Sequence, residues 1–225
     1  MKLRVWAVPA MAALLLLTGC DQLSPGTASM VNGTRITKEK VEAVADAQCV
    51  AADAAAQAGG AQATAMSRVH QQSLFLLIDA ELSKQYAEEE GLKPSEGLAD
   101  AFFSEFKTSL AALPEKPRTV LEDLFKDWAD SRAVLVQAGS DASGQPPSQD
   151  NVEQLLNAGL QARAEWMQKT AEVDTDPRYA PGEDGLPGGG DSSVSQPGSD
   201  FAKDAGAQEA DPEWVGGLPA SQKCG

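Results

Sequence analysis

Leu74-Phe75-Leu76-Leu77-Ile78 lies at the centre of a run from Thr64 to Glu90 that contains neither glycine nor proline. That run predicts a helix stopped by Gly91, and its centre is apolar all round. A helix of that kind belongs inside a bundle. Upstream, an alanine-rich helix is predicted from about Lys38 to Ala58, ended by Gly59-Gly60. Before it, Met30-Val31, Asn32-Gly33 and Thr34-Arg35-Ile36 read as a small hairpin. Asn-Gly suits a type I′ turn, where both central residues need positive φ. Thr37 then serves as the helix cap.

Downstream, Lys93-Pro94-Ser95 restarts the chain, with Ser95 as cap. A third helix carries Ala99, Phe102, Phe103, Phe106, Leu110 and Leu113 at helical spacing, and Pro114 and Pro117 break it. The fourth carries Val120, Leu121, Leu124, Phe125, Trp128 and Leu135. Residues Gly139 to Pro147 read as a polar loop, and a fifth helix runs from about Ser148 to Thr170. The expectation is an all-α domain: about five helices in an irregular bundle, with a small N-terminal β-hairpin. From Ala171 on, the last 55 residues hold 10 Gly and 6 Pro, with 11 acidic and 3 basic side chains. That composition predicts a mostly irregular acidic tail.

The whole chain has 225 residues and a net charge of −15. This is the wrong sign for generic nucleic-acid binding, which neutralises phosphates with Lys and Arg. Lys2 and Arg4 precede an apolar segment from Val5 to Leu17. The order of basic start, short apolar core and small residues is that of a secretory signal. Leu17-Thr18-Gly19-Cys20 resembles the lipobox of bacterial lipoproteins. The resemblance implies that Cys20 is acylated and becomes the mature N-terminus. It implies an extracytoplasmic protein, lipid-anchored to the bacterial cell membrane. The expected organisation is a signal at 1–19, a tether at 20–29, a helical domain at 30–172 and an acidic tail at 173–225. Loss of the signal removes two basic side chains and no acidic ones, leaving a mature charge of −17. Cys49 and Cys224 remain, and outside the cytoplasm two leftover thiols tend to pair.

Val31-Asn32-Gly33-Thr34-Arg35-Ile36-Thr37, with the helix after it, resembles the opening of the SurA N-terminal domain family. That family comprises extracytoplasmic chaperones and the chaperone parts of PrsA-type foldases. Tyr86-Ala87-Glu88-Glu89-Glu90-Gly91-Leu92-Lys93-Pro94-Ser95-Glu96 is similar to the family's passage from second to third helix. Val173-Asp174-Thr175-Asp176-Pro177-Arg178-Tyr179 is similar to the exit segment of related lipoproteins. The likeness spans roughly residues 30 to 180. It implies a chaperone-like lipoprotein whose partners are the membrane, through the lipid on Cys20, and unfolded or extended polypeptides. No segment resembles the parvulin prolyl-isomerase domain of longer members, so that activity does not carry over. A chaperone needs exposed apolar surface, and Phe102, Phe103 and Phe106, joined by Leu124 and Trp128, are the candidate client-binding residues. The alternative is an adaptor lipoprotein that binds one folded envelope protein.

The sequence points to no enzyme, cofactor or metal. His70 is the only histidine and sits in no motif. Gly-x-Ser-x-Gly, P-loop and His-Glu-x-x-His patterns are absent from the sequence. Asp174-x-Asp176 and Glu183-Asp184 offer oxygen ligands, but Pro177 and Arg178 spoil an EF-hand spacing.

Overall fold

The computed structural model describes residues 24–59, 62–189, 199 and 211–225. The expected signal, Cys20 and Phe201 lie outside the described residues. The protein is mostly helical, with a small antiparallel strand set near its N-terminus.

Strands β1 (Thr27–Val31) and β2 (Thr34–Thr37) form the expected hairpin. Asn32 and Gly33 have φ of 46° and 84°, the two positive values that the turn requires. Thr37 Oγ1 accepts from the Lys40 amide at 3.2 Å and starts α1 (Lys38–Gln57). Helix α2 (Met66–Glu90) follows a two-residue strand, β3 (Thr64–Ala65), and ends at Gly91 with φ of 67°. Its apolar centre does not lie wholly inside, as the sequence suggested. Leu74, Leu77 and Ile78 are buried, but Phe75 is 42% exposed. The helix has neighbours on part of its circumference only.

The expected third helix is divided into α3 (Glu96–Ser104) and α4 (Lys107–Ala111). At the break the Phe106 amide bonds the Phe103 carbonyl at 3.1 Å, a tighter turn than the α-helical one. Helix α5 (Glu115–Ser143) begins after Pro114 and holds Pro117 in its first turn, where the missing N–H costs least. It does not stop at Gly139. That glycine is a helix-crossing residue rather than the start of a loop: a Cβ there would lie 1.9 Å from the Leu155 carbonyl oxygen. Gly144, with φ of 68°, ends the helix instead. Helix α6 (Val152–Thr170) starts later than Ser148, because Asn151 Oδ1 accepts from the Ser148 amide at 2.7 Å and forms a turn first. From α6, Gly159 meets α5 in the same way: its Cβ would lie 1.8 Å from the Leu135 carbonyl oxygen. The two backbones touch through reciprocal glycines.

Among the described residues after α6, several short elements form. Strand β4 (Val173–Thr175) pairs with β1, giving the sheet order β2-β1-β4. Asn32 locks this closure: its amide donates to the Glu172 carbonyl at 2.9 Å, and its Oδ1 accepts from the Glu172 amide at 2.6 Å. A single 3-10 turn at Pro177–Tyr179 buries Tyr179. Helix α7 (Pro212–Gly217) is capped by Asp211, and β5 (Lys223–Cys224) pairs with β3. The described residues therefore contain seven helices, not five, and two small sheets. Cys49 and Cys224 are joined as a disulfide, with Cα atoms 5.0 Å apart. Helix α5 is the hub and packs against α1, α2, α3 and α6. The main core runs between it, α2 and the hairpin, through Val31, Leu74, Ile78, Leu82, Leu121 and Trp166.

Candidate functional site

Of the five residues expected to meet a client, Phe102 and Phe106 both meet Trp128. Phe106 stacks on Phe125 with centroids 4.2 Å apart. Trp128 meets Phe106 edge-on at 5.4 Å and Phe102 at 6.1 Å. Such pairs stabilise a packed interface beyond their buried area. Phe102, Phe103, Phe106 and Trp128 are half-buried, and Leu124 is buried in the core. The ammonium groups of Lys107 and Lys126 each lie 5.7 Å from the Phe103 ring centre, and the Arg132 guanidinium lies 5.0 Å from that of Trp128. The aromatic stripe lies at the seam between α3, α4 and α5. Its outer rings are covered by cations.

A different feature offers more room. Between α2 and α5 lies an open groove of about 480 Å³, lined also by Lys40 of α1 and by Leu92 and Pro94. That volume lies in the range of ligand pockets, roughly 300–1,000 Å³. Its floor contains the buried side chains Leu77 and Ala87 of α2 and Val134 of α5. Its room comes from small residues: Ala80, Ser83 and Ala87 on α2 face Ser131 on α5.

A buried polar network, two of whose members (Ser83 and Ser131) themselves line the groove, ties its walls together. Ser131 donates to Ser83 Oγ at 2.7 Å. Arg163 of α6 also donates to Ser83 Oγ, and it pairs with Asp79 Oδ1 at 2.6 Å. One guanidinium thus ties α6 to α2, and a hydroxyl pair ties α2 to α5. The rim is charged: Glu81, Glu88, Asp127 and Asp130 against Lys40 and Lys84. Burial raises the Asp127 carboxyl above the ordinary range, with Lys40 and Lys84 opposing and Asp123 adding. Burial also raises Asp130, and there Asp127 and Asp100 add to the effect. Both groups would gain from a cation.

No protein-family model matches this sequence, and comparison with curated proteins and with solved structures gives no significant similarity.

The remaining candidates are accounted for by local structure. Asp176 takes Lys38 at 2.6 Å and Arg178 at 3.0 Å, and these partners hold its carboxyl well below the usual range. Asp184 Oδ1 accepts from the Leu186 amide at 3.0 Å. Among the described residues, no group of three His, Cys, Asp or Glu side chains is placed to hold a metal ion. His70 is half-buried on α2. Among the described residues, no helix is long and apolar enough to cross a membrane. The groove was missed because each half looks ordinary alone. The available signals were the small residues at helical spacing on α2 and the Asp127-x-x-Asp130 pair on one face of α5.

Proposed function

We propose that this protein is a membrane-tethered, extracytoplasmic lipoprotein that binds unfolded or extended polypeptide in a chaperone-like way, without a prolyl-isomerase domain of its own. The observation that carries the reading is the α2–α5 groove, open to solvent and floored by apolar side chains. From Leu77 to Glu88 it follows α2 for twelve residues, about 16 Å at a rise of 1.5 Å per step. An extended chain covers that length with about five residues. The hairpin, the Thr37-capped helix and the Gly91 stop support the likeness to the SurA N-terminal family.

The test is aggregation of a chemically denatured model protein, followed by light scattering with and without the full chain. Suppression at a few-fold molar excess is expected. No suppression, together with no binding to an array of unfolded-protein peptides, would overturn the reading. The anchor has its own test: Cys20→Ser should move the protein from the membrane fraction to the soluble one.

One observation favours the adaptor reading instead. Among the described residues, the exposed large apolar side chains are Val50 and Phe75 alone, a small surface for loose capture of many clients. An adaptor would retain one folded envelope protein in a pull-down and leave aggregation unchanged.

A further inference from the structure

The groove's chemistry points to what kind of segment it prefers. Its rim holds four carboxylates, Glu81, Glu88, Asp127 and Asp130, against two ammonium groups. Among the described residues the ion pairs join Lys38 and Arg178 to Asp176, Arg118 to Glu122, and Arg163 to Asp79. None involves Asp127 or Asp130. Lys40 and Lys84 act on Asp127, while the charges acting on Asp130 are the carboxylates of Asp127 and Asp100. One turn apart on α5, the pair presents concentrated negative charge above an apolar floor. That combination suits one kind of side chain: a long methylene stem ending in a cation, which buries its stem and keeps its charged head at the polar edge.

We infer that the α2–α5 groove selects extended segments carrying an arginine or lysine, whose cationic end docks at Asp127 and Asp130. The inference rests on the polypeptide-binding reading above and adds its selectivity. The apolar floor at Leu77, Ala87 and Val134 receives the stem and one flanking apolar residue. Segments bearing Asp or Glu at that point are repelled by the same rim.

The test uses the full chain with its disulfide intact and three fluorescein-labelled peptides of equal length and apolar content. They differ in two central residues, which are Arg, Gln or Glu. The Arg peptide is expected to bind at least tenfold tighter than the Glu peptide by fluorescence anisotropy. In the double variant Asp127→Asn/Asp130→Asn the ratio falls below threefold, while the Gln peptide keeps its affinity within twofold. A control, Asp150→Asn/Glu153→Gln, removes the same charge from an exposed site near the start of α6 and keeps the tenfold ratio. Equal binding of the three peptides overturns the selectivity and leaves the polypeptide reading standing. Binding of none overturns both. A ratio that survives Asp127→Asn/Asp130→Asn, or falls equally in the control, overturns the assignment to this groove. Arginine amide alone binding as tightly as the Arg peptide also overturns it, in favour of a small-amine site.

Discussion

Gly139 and Gly159 show how much one hydrogen atom decides. Each would place a Cβ within 2 Å of a carbonyl oxygen on the facing helix. The obstacle is backbone, so no rotamer change relieves it. Gly139→Ala or Gly159→Ala is expected to cost about 3 kcal/mol or more, as forced separation of packed helices does. Urea unfolding measures this, and a loss below 1 kcal/mol would mean that the crossing adapts. Arg163 is a second such position. Replacing it by Met strands the Asp79 carboxylate and removes a donor from Ser83. Breaking a buried pair from one side costs about 3–5 kcal/mol. Asp79→Asn with Arg163→Met should recover part of that loss, which a double-mutant cycle reads directly. Asp176 supplies a pH dependence. Its carboxyl titrates below the unfolded value of 3.8, chiefly through its bonds to Arg178 and Lys38. The stabilisation is therefore present above that value and is lost as the pH falls through the folded one. Asp176→Asn should lower the urea midpoint at pH 7, and the gap from wild type should shrink at pH 2–3.

At the scale of elements, the aromatic seam and the C-terminal strap behave differently from what their sequences suggest. The seam holds the short helices α3 and α4 onto α5 through Phe106, Phe125 and Trp128. Phe106→Ala is thus expected to destabilise by about 3 kcal/mol, as measured by thermal melting. Loss of polypeptide binding without loss of stability would instead place the client surface here. The strap is α7 and β5, which bury Val215, Leu218 and Cys224 near β3. The disulfide fixes its end, and the Gly225 amide donates to Asp53 at 2.8 Å. Cys49→Ala/Cys224→Ala should cost about 2–4 kcal/mol. It should also expose the last 15 residues to carboxy-terminal proteolysis.

Over the whole molecule, the chain's two halves are closed onto each other. Strand β1 lies between β2, its neighbour in sequence, and β4, which arrives after six helices. A chain ending at Glu172 loses β4 and the buried Tyr179. Its unfolding midpoint should drop sharply in urea, because burial of one large aromatic is worth about 3–5 kcal/mol and the Cys49–Cys224 disulfide, lost with it, about 2–4 kcal/mol more. Much of this body was legible in the residues. Asn32-Gly33, Thr37, Gly91 and the end of α6 at Thr170 are local signals, and the structure places each where backbone chemistry puts it. Gly139 misled because a glycine that admits a facing helix and a glycine that opens a loop look the same in one dimension. For Phe102, Phe103 and Phe106, spacing gives a face without giving what covers it. The charge of −15 also acquires a location: part of it lines the groove, at Glu81, Glu88, Asp127 and Asp130. By itself the sequence determined α1, α2, the end of α6, the hairpin turn, the Thr37 cap and the acidic character, since these rest on bonds and preferences within a few residues. Only the tertiary structure decided that α5 and α6 touch through glycines, that Arg163 props up a hydroxyl pair, and that small residues on α2 leave a groove. Those depend on which surfaces meet, and that is set by the packing of segments far apart in sequence, as Arg163 and Ser83 are, 80 residues from each other.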